Sequence, residues 1–345
     1  MPSLRVLLVN VGVAALALAG CSAEDIARVT LAAARPTPAG KPLPADGSTA
    51  LAEKDAALHD AWFERNVLQA YRKVGHRNPK WDAAAEAFLR ESAPSFLGLA
   101  PEGTSDLKAR AKVILDAGCD DPAILFFAAR AWGARDKQSR EASELLERAV
   151  AGMHDTAYPR GLARFVASAL REDYDRRDEG QGKRAALDPV ELRWFKESLT
   201  DGSYGPGEDV VLATQLLSGT DNWFHDRNPA AVDSAVRDAP WVEPWTRLVL
   251  AGTRQIYEAW NSRGGEYANK VKPEEWKGMR ESLAGARKAL TESWRLRPDR
   301  PEAATQMIRV AMAEAVTGET PRLWFDRAVA ARFDYMPAYW RLENA

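Results

Sequence analysis

Beyond Ala50 apolar residues recur at helical spacing along almost the whole chain. Trp81, Ala84, Ala85 and Phe88 share one face, as do Leu125, Ala128, Ala129 and Trp132. The same period runs through Ala142, Leu145, Leu146 and Ala149, and through Leu162, Phe165, Val166 and Ala169. A longer stripe, Trp276, Met279, Leu283, Ala286, Leu290 and Trp294, predicts a helix of about five or six turns. No run alternates with period two, so no half-buried strand is expected. Asp121-Pro122, Asp188-Pro189 with Glu191 three residues on, Asn228-Pro229 and Thr320-Pro321 each place a capping side chain before a proline. This is the pattern of a helix start, and one such cap contributes about 1 kcal/mol. Starts and breakers together predict an all-α fold of about a dozen helices joined by short turns. A helical region over 51–171 and a second over 188–345 flank a charged connection over 172–187, which contains EDYDRRDEGQGKR.

An internal repeat emerges when the turns are overlaid. LTESWRLRPDRPEA, from Leu290, aligns without a gap on FDRAVAARFDYMPAY, from Phe325, setting Pro298 over Phe333 and Ala303 over Ala338 at a spacing of 35 residues. ELLERAVAG, from Glu144, is similar to LWFDRAVAA, from Leu323, with Ala149 over Ala328. A helix, a turn and a helix per unit of this length resembles the tetratricopeptide (TPR) repeat family, in the small residues Ala149, Ser293 and Ala328 and in the LRPDRPEA junction. The resemblance implies TPR-like antiparallel hairpins stacked into a solenoid, and a role in binding other proteins. Phe333 stands where the family has its turn proline, and the first-helix Trp, Gly and Tyr positions are mostly unmatched. The stretches AWNSRGGEYANKV, EEWKGM, LRPDRPEA and WFDRAVAARFDYMPAYW are also similar to an uncharacterised domain-of-unknown-function family of bacterial envelope proteins, which implies a missing or variant final helix here.

The first residues add an address. Residues 1–20 carry Arg5, an apolar run from Val6 to Ala19 and a small-residue end, the pattern of a secretory signal peptide. Leu18-Ala19-Gly20-Cys21 resembles a bacterial lipobox, which implies cleavage before Cys21 and acylation of its thiol; the alternative is an ordinary cut after Ala17-Leu18-Ala19 that leaves a free thiol. Acyl chains at about 0.8 kcal/mol per buried CH₂ would hold the protein stably on a membrane. Pro36, Pro38, Pro42 and Pro44 then make residues 21–50 an extended tether. No later stretch reaches the roughly 18 apolar residues of a membrane span, so the body is expected outside the cytoplasm, in the cell envelope. Ser22 in place of an aspartate favours an outer membrane where one exists. Cys119, the one other cysteine, reads as a buried, inert thiol.

Charge and motifs narrow the chemistry. With 47 basic and 49 acidic side chains there is no electrostatic footprint for nucleic acid. His59, His76, His154 and His225 are too scattered for a metal motif, and no cofactor or metal is expected. DGSYGPGED over 201–209 lacks the Lys-Ser/Thr of a phosphate loop, and Asp173, Asp175 and Asp178 do not follow the calcium-loop order. No nucleophile elbow occurs, so no catalytic residue is assigned and the chain reads as a non-enzyme. Twelve tryptophans stand out. Trp241, Trp245 and the face through Leu248, Val249, Ile256 and Trp260 fit helix packing, whereas Trp223, His225, Trp260, Arg263 and Tyr267 are candidates for an aromatic ligand groove. Arg263 equally suits capping of the preceding helix. The leading expectation is a membrane-anchored scaffold for another envelope protein or an extended peptide. The rival is a glycan-binding or glycan-hydrolysing helical lipoprotein, for which a carboxylate pair about 5–9.5 Å apart would signal hydrolysis.

Overall fold

A computed structural model describes residues 45–96, 106–133, 139–176, 181–217, 227–314 and 319–344. The signal sequence, Cys21, most of the tether, Trp223 and His225 lie outside them. The described residues form fourteen helices and no strand. They divide into two compact units, one over Leu51–Arg247 and one from Leu248 onward, the latter grouped with residues 45–50.

The first unit contains most of α1, which runs Ala45–Phe63, passes through a π-helical turn at Glu64–Gln69 and resumes over Ala70–Val74. There follow α2 (Asp82–Phe96), α3 (Leu107–Asp116), α4 (Pro122–Gly133), α5 (Arg140–Asp155), α6 (Arg160–Arg176), α7 (Gln181–Ser198), α8 (Asp209–Leu217) and α9 (Pro229–Asp238). From α2 to α7 each helix packs on the next, α2 also touches α4, and α2 and α6 both meet the π turn. Phe96 ties this together, with its ring 5.2–6.2 Å from those of Trp62, Phe63, Phe126, Phe127 and Phe165. Mostly edge-on, these contacts suit the aromatic quadrupole. Most of the predicted faces are buried: Ala85 and Phe88, Leu125, Ala128 and Ala129, Leu145, Leu146 and Ala149, Leu162 and Val166 line the core, whereas Ala84 is exposed and Trp81, Phe165 and Ala169 are half-buried.

Local chemistry sets the helix ends. Asp121 caps α4, its Oδ1 accepting from the amides of Ala123 and Ile124 at 3.0 and 3.1 Å. Gly118, at φ +96°, ends α3 in the left-handed conformation, with the Cys119 amide donating back to the Ile114 carbonyl. The start expected at Asp188-Pro189 is corrected: both residues lie inside α7, which begins at Gln181. The Asp188 carboxylate is taken instead by Arg171 Nε at 2.7 Å and Arg227 Nη1 at 2.6 Å, so it is not available as a cap. Asn228 does precede α9, without a side-chain cap bond. The charged connection is helical at both ends, Glu172–Arg176 closing α6 and residues 181–187 opening α7. Arg171, Arg184 and Asp175 pair across it.

The second unit contains most of α10 (Pro244–Arg263), then α11 (Pro273–Leu296), α12 (Pro301–Glu314), α13 (Pro321–Ala331) and α14 (Met336–Glu343). Glycines let α10 and α11 meet closely. A Cβ on Gly252 would stand 2.6 Å from Leu290, one on Gly278 3.3 Å from Ser262, and Gly285 faces Gln255. Rising numbers on α10 meet falling numbers on α11, the register of an antiparallel hairpin. Met279, Leu283, Ala286 and Leu290 form the buried stripe of α11.

The 35-residue repeat is a repeat of structure. Helices α11 and α13 end at Leu296 and Ala331, and α12 and α14 begin at Pro301 and Met336, each pair 35 apart. Arg297 Nε reaches Asp299 at 2.9 Å, and Arg332 Nε reaches Asp334 at 3.0 Å. The amides of Arg297 and Arg332 close on Ser293 and Ala328, small buried residues at equivalent positions. Their small size admits the neighbouring helix; α12 packs on α11, α13 and α14. The equivalence is looser at Ala149: it is fully buried, but α5 continues to Asp155, one turn further than α13 continues past Ala328.

Two carboxylates make the fold sensitive to acid. The hydrogen bond from Arg72 holds Glu86 below its ordinary 4.5, and that from Arg297 holds Asp299 below 3.8. The native state therefore keeps both ionised where the unfolded chain already binds protons. Their stabilisation is complete above the unfolded values and is lost as pH falls through the lower native ones. We expect the melting temperature to decline below about pH 4.5, and Glu86→Gln to shrink that decline while lowering the plateau at neutral pH. A Glu86→Gln profile parallel to the wild type would remove this pair from the acid response.

Candidate groove at the ends of alternate helices

Successive antiparallel helices present alternate members to the same side. In the second unit α10, α12 and α14 accordingly bring their C-terminal ends around a groove of about 330 Å³, lined by Trp260, Arg309, Met312, Arg341 and Asn344. Trp260 lies in the last turn of α10 and Met312 in the last turn of α12, and both remain exposed, at 41% and 38%. Arg341 is half-buried in the last turn of α14, and Asn344 caps that helix with Nδ2 donating to the Trp340 carbonyl at 2.6 Å.

The residues singled out from sequence separate here. Trp260 lines the groove. Arg263 stands over the rings of Trp260 and Trp276, 6.0 and 5.6 Å from their centroids, and its Nη1 donates to the carbonyls of Gly264 and Glu266, each at 3.0 Å. It braces the tryptophan and fastens the turn where Gly264 adopts φ +72°. Tyr267 is exposed in the following loop, outside the groove lining. Trp241, Trp245, Trp194 and Trp62 belong to packing: Trp241 stacks on Tyr204 at 5.5 Å and donates to the Leu199 carbonyl, and the other three are buried.

Sequence reasoning missed Arg309, Met312, Arg341 and Asn344. The repeat held a clue, since Arg309 and Asn344 are 35 apart, as are Gln306 and Arg341. One helix face is thus used twice. Arg254, Arg287, Arg322 and Arg332 of this unit pair with carboxylates. Arg309 Nη1 lies 3.5 Å from Gln306 Oε1, and among the described residues that line the groove there is no carboxylate. An apolar ring and thioether beside two guanidinium groups can hold a ligand; nothing in the lining could transfer a proton to a leaving group.

In the first unit the most densely bonded polar group is Asp121. Besides capping α4 it accepts from the His76 amide at 2.9 Å and from Tyr158 Oη at 3.0 and 3.1 Å. Burial raises its pKa and that of Tyr158, and pushes the Cys119 thiol up to about 12. These groups fix helix positions, and Cys119 is a protonated thiol at neutral pH. Among the described residues no three His, Cys, Asp or Glu side chains gather as a metal ligand set, and no helix is long and apolar enough to cross a membrane.

No protein-family model matches the chain, so the likeness to a domain-of-unknown-function family has no support there, and no curated protein matches it.

Proposed function

We propose that the protein is a lipid-anchored, TPR-like scaffold of the cell envelope that holds a segment of another protein in the groove at the ends of α10, α12 and α14. The observation that carries this reading is the groove itself: an exposed tryptophan and methionine, contributed by alternate helices of a hairpin stack. The in-step 35-residue repeat supports the TPR-like description, and the Leu-Ala-Gly-Cys sequence supports the anchor. The glycan reading has one exposed ring in the groove to draw on, and no carboxylate pair for hydrolysis.

Two measurements test the two halves. Cys21→Ser should move the protein from the membrane fraction to the soluble fraction, because the thiol is the attachment point of the acyl chains; a Cys21→Ser protein sedimenting with membranes as wild type does would remove the anchor. Placing the photo-crosslinking residue p-benzoylphenylalanine at the exposed position Met312 in cells should give one discrete protein adduct, lost on Trp260→Ala. Crosslinking to glycan alone would replace the scaffold reading with the carbohydrate one.

A further inference from the structure

We infer that α14 is a pairing surface for a second copy of this chain, the two α14 helices lying antiparallel about a two-fold axis between Met336 and Trp340. Of the eight large apolar side chains exposed among the described residues, seven belong to the unit from Leu248 onward. Three of them, Phe333, Met336 and Trp340, follow one another at helical spacing on the outer face of α14 and the turn before it. They are 61%, 50% and 51% exposed, while Tyr335 and Ala338 turn inward. On α12 the equivalent face is covered. Met336 and Trp340 stand 35 residues after Pro301 and Thr305, and Glu343 stands 35 after Ile308; all three equivalents are buried. Helices close on α12 from α11, α13 and α14, and the matching side of α14 stays open, so a helix is the shape that fits it.

A second copy supplies that helix and matches it in chemistry. From Tyr335 to Trp340 the sequence YMPAYW carries no charge, so the centre of the pair contains none. Turning one copy over about the two-fold lays each Met336 thioether on the Trp340 indole of the other, a sulfur–aromatic contact made twice. The charges stand at the two ends, Arg332 with Asp334 before the stripe and Arg341 with Glu343 after it. An antiparallel pair sets one base and one acid against one base and one acid at each end, and no block of like charge is brought together. A strongly acidic or strongly basic helix would meet a like charge at either end. Area sets the strength. The three exposed side chains each remove on the order of 100 Å² from water. With the surrounding rim the pair buries about 1,000–1,200 Å² in total, the lower end for a specific interface, and the dimer is weak and reversible.

The test is made in cells on the full-length chain, with p-benzoylphenylalanine in place of Phe333, a near match in shape that leaves Met336 and Trp340 intact. Two forms of the chain carrying different epitope tags are expressed together. Irradiation should give an adduct of twice the monomer mass that holds both tags. Met336→Glu, which puts a carboxylate against each indole, should lower its yield at least about tenfold, and Trp340→Lys should separately do the same. Both variants should melt within about 2 °C of wild type, because both positions face solvent in the single copy. In detergent, the purified wild-type chain should pass from monomer to dimer through the micromolar range, and Met336→Glu should stay monomeric throughout. An adduct to a different protein only, no adduct, or a two-tag adduct whose yield both variants leave unchanged overturns the pairing. The Met312 crosslink reports on the groove and is unaffected by any of these outcomes.

Discussion

Asp121→Ala should cost about 4 kcal/mol of stability in the Leu51–Arg247 unit, the largest loss expected from any single polar substitution in this protein. One buried carboxylate satisfies four donors: the first-turn amides of Ala123 and Ile124, the amide of His76 that follows α1, and the hydroxyl of Tyr158 that precedes α6. Removing it strands all four where water enters with difficulty, since Asp121 is fully buried and Tyr158 nearly so. The penalty is then the desolvation of several unmade bonds rather than the loss of one. Asp121→Asn keeps one carbonyl oxygen for the α4 cap and should lose about half as much. Urea unfolding gives the total, and hydrogen exchange at Ala123 and Ile124 gives its location. A loss within about 1 kcal/mol of wild type, with unchanged exchange at those amides, would mean that the network is dispensable.

Gly252→Val should destabilise the Leu248–Ala345 unit by about 3 kcal/mol, through overpacking. Even a bare Cβ would lie 2.6 Å from Leu290 Cγ and 2.8 Å from its Cδ2, with the Ala286 carbonyl at 3.4 Å behind. The α10–α11 hairpin can admit it only by moving apart along its length. Leu290→Ala, which empties the same space, should itself cost about 3 kcal/mol for the cavity. Because the two changes fill and vacate one volume, Gly252→Ala combined with Leu290→Ala should lose at least about 1 kcal/mol less than the two singles added together. Strict additivity would show that the helices do not meet at this point.

What could be foreseen divides by the range of the interaction. The caps at Asp121 and Thr320 were legible because the carboxylate or hydroxyl and the amides it serves lie within three residues of one another; Thr320 Oγ1 accepts from Leu323 at 3.1 Å. The same dipeptide logic failed at Asp188-Pro189, where arginines 17 and 39 residues away claim the carboxylate. Periodicity found the buried faces of α2, α4, α5, α6 and α11, since a single helix carries its own stripe. It could not sort the tryptophans. Trp245 and Trp260 sit on one helix four turns apart, yet the first is buried and the second forms a groove wall, a difference decided by which helices lie opposite. The groove was illegible for the same reason: its residues come from three helices, and each looks ordinary in its own stretch. Only the 35-residue offset, linking Arg309 to Asn344, left a trace along the chain.

The position of α14 gives the groove a mechanical property. The eight-residue α14 packs chiefly on α12 and α13, whereas α12 packs on α11, α13 and α14 and buries every side chain from Pro301 to Ile308. In stacked architectures stability accumulates from neighbour to neighbour, so an element with fewer neighbours opens more readily than one held on three sides. Arg341 and Asn344 ride on that more weakly held element, while Arg309 and Met312 ride on the enclosed one. One wall of the groove is therefore held on more sides than the other, and a molecule bound as proposed between them would brace the less supported wall.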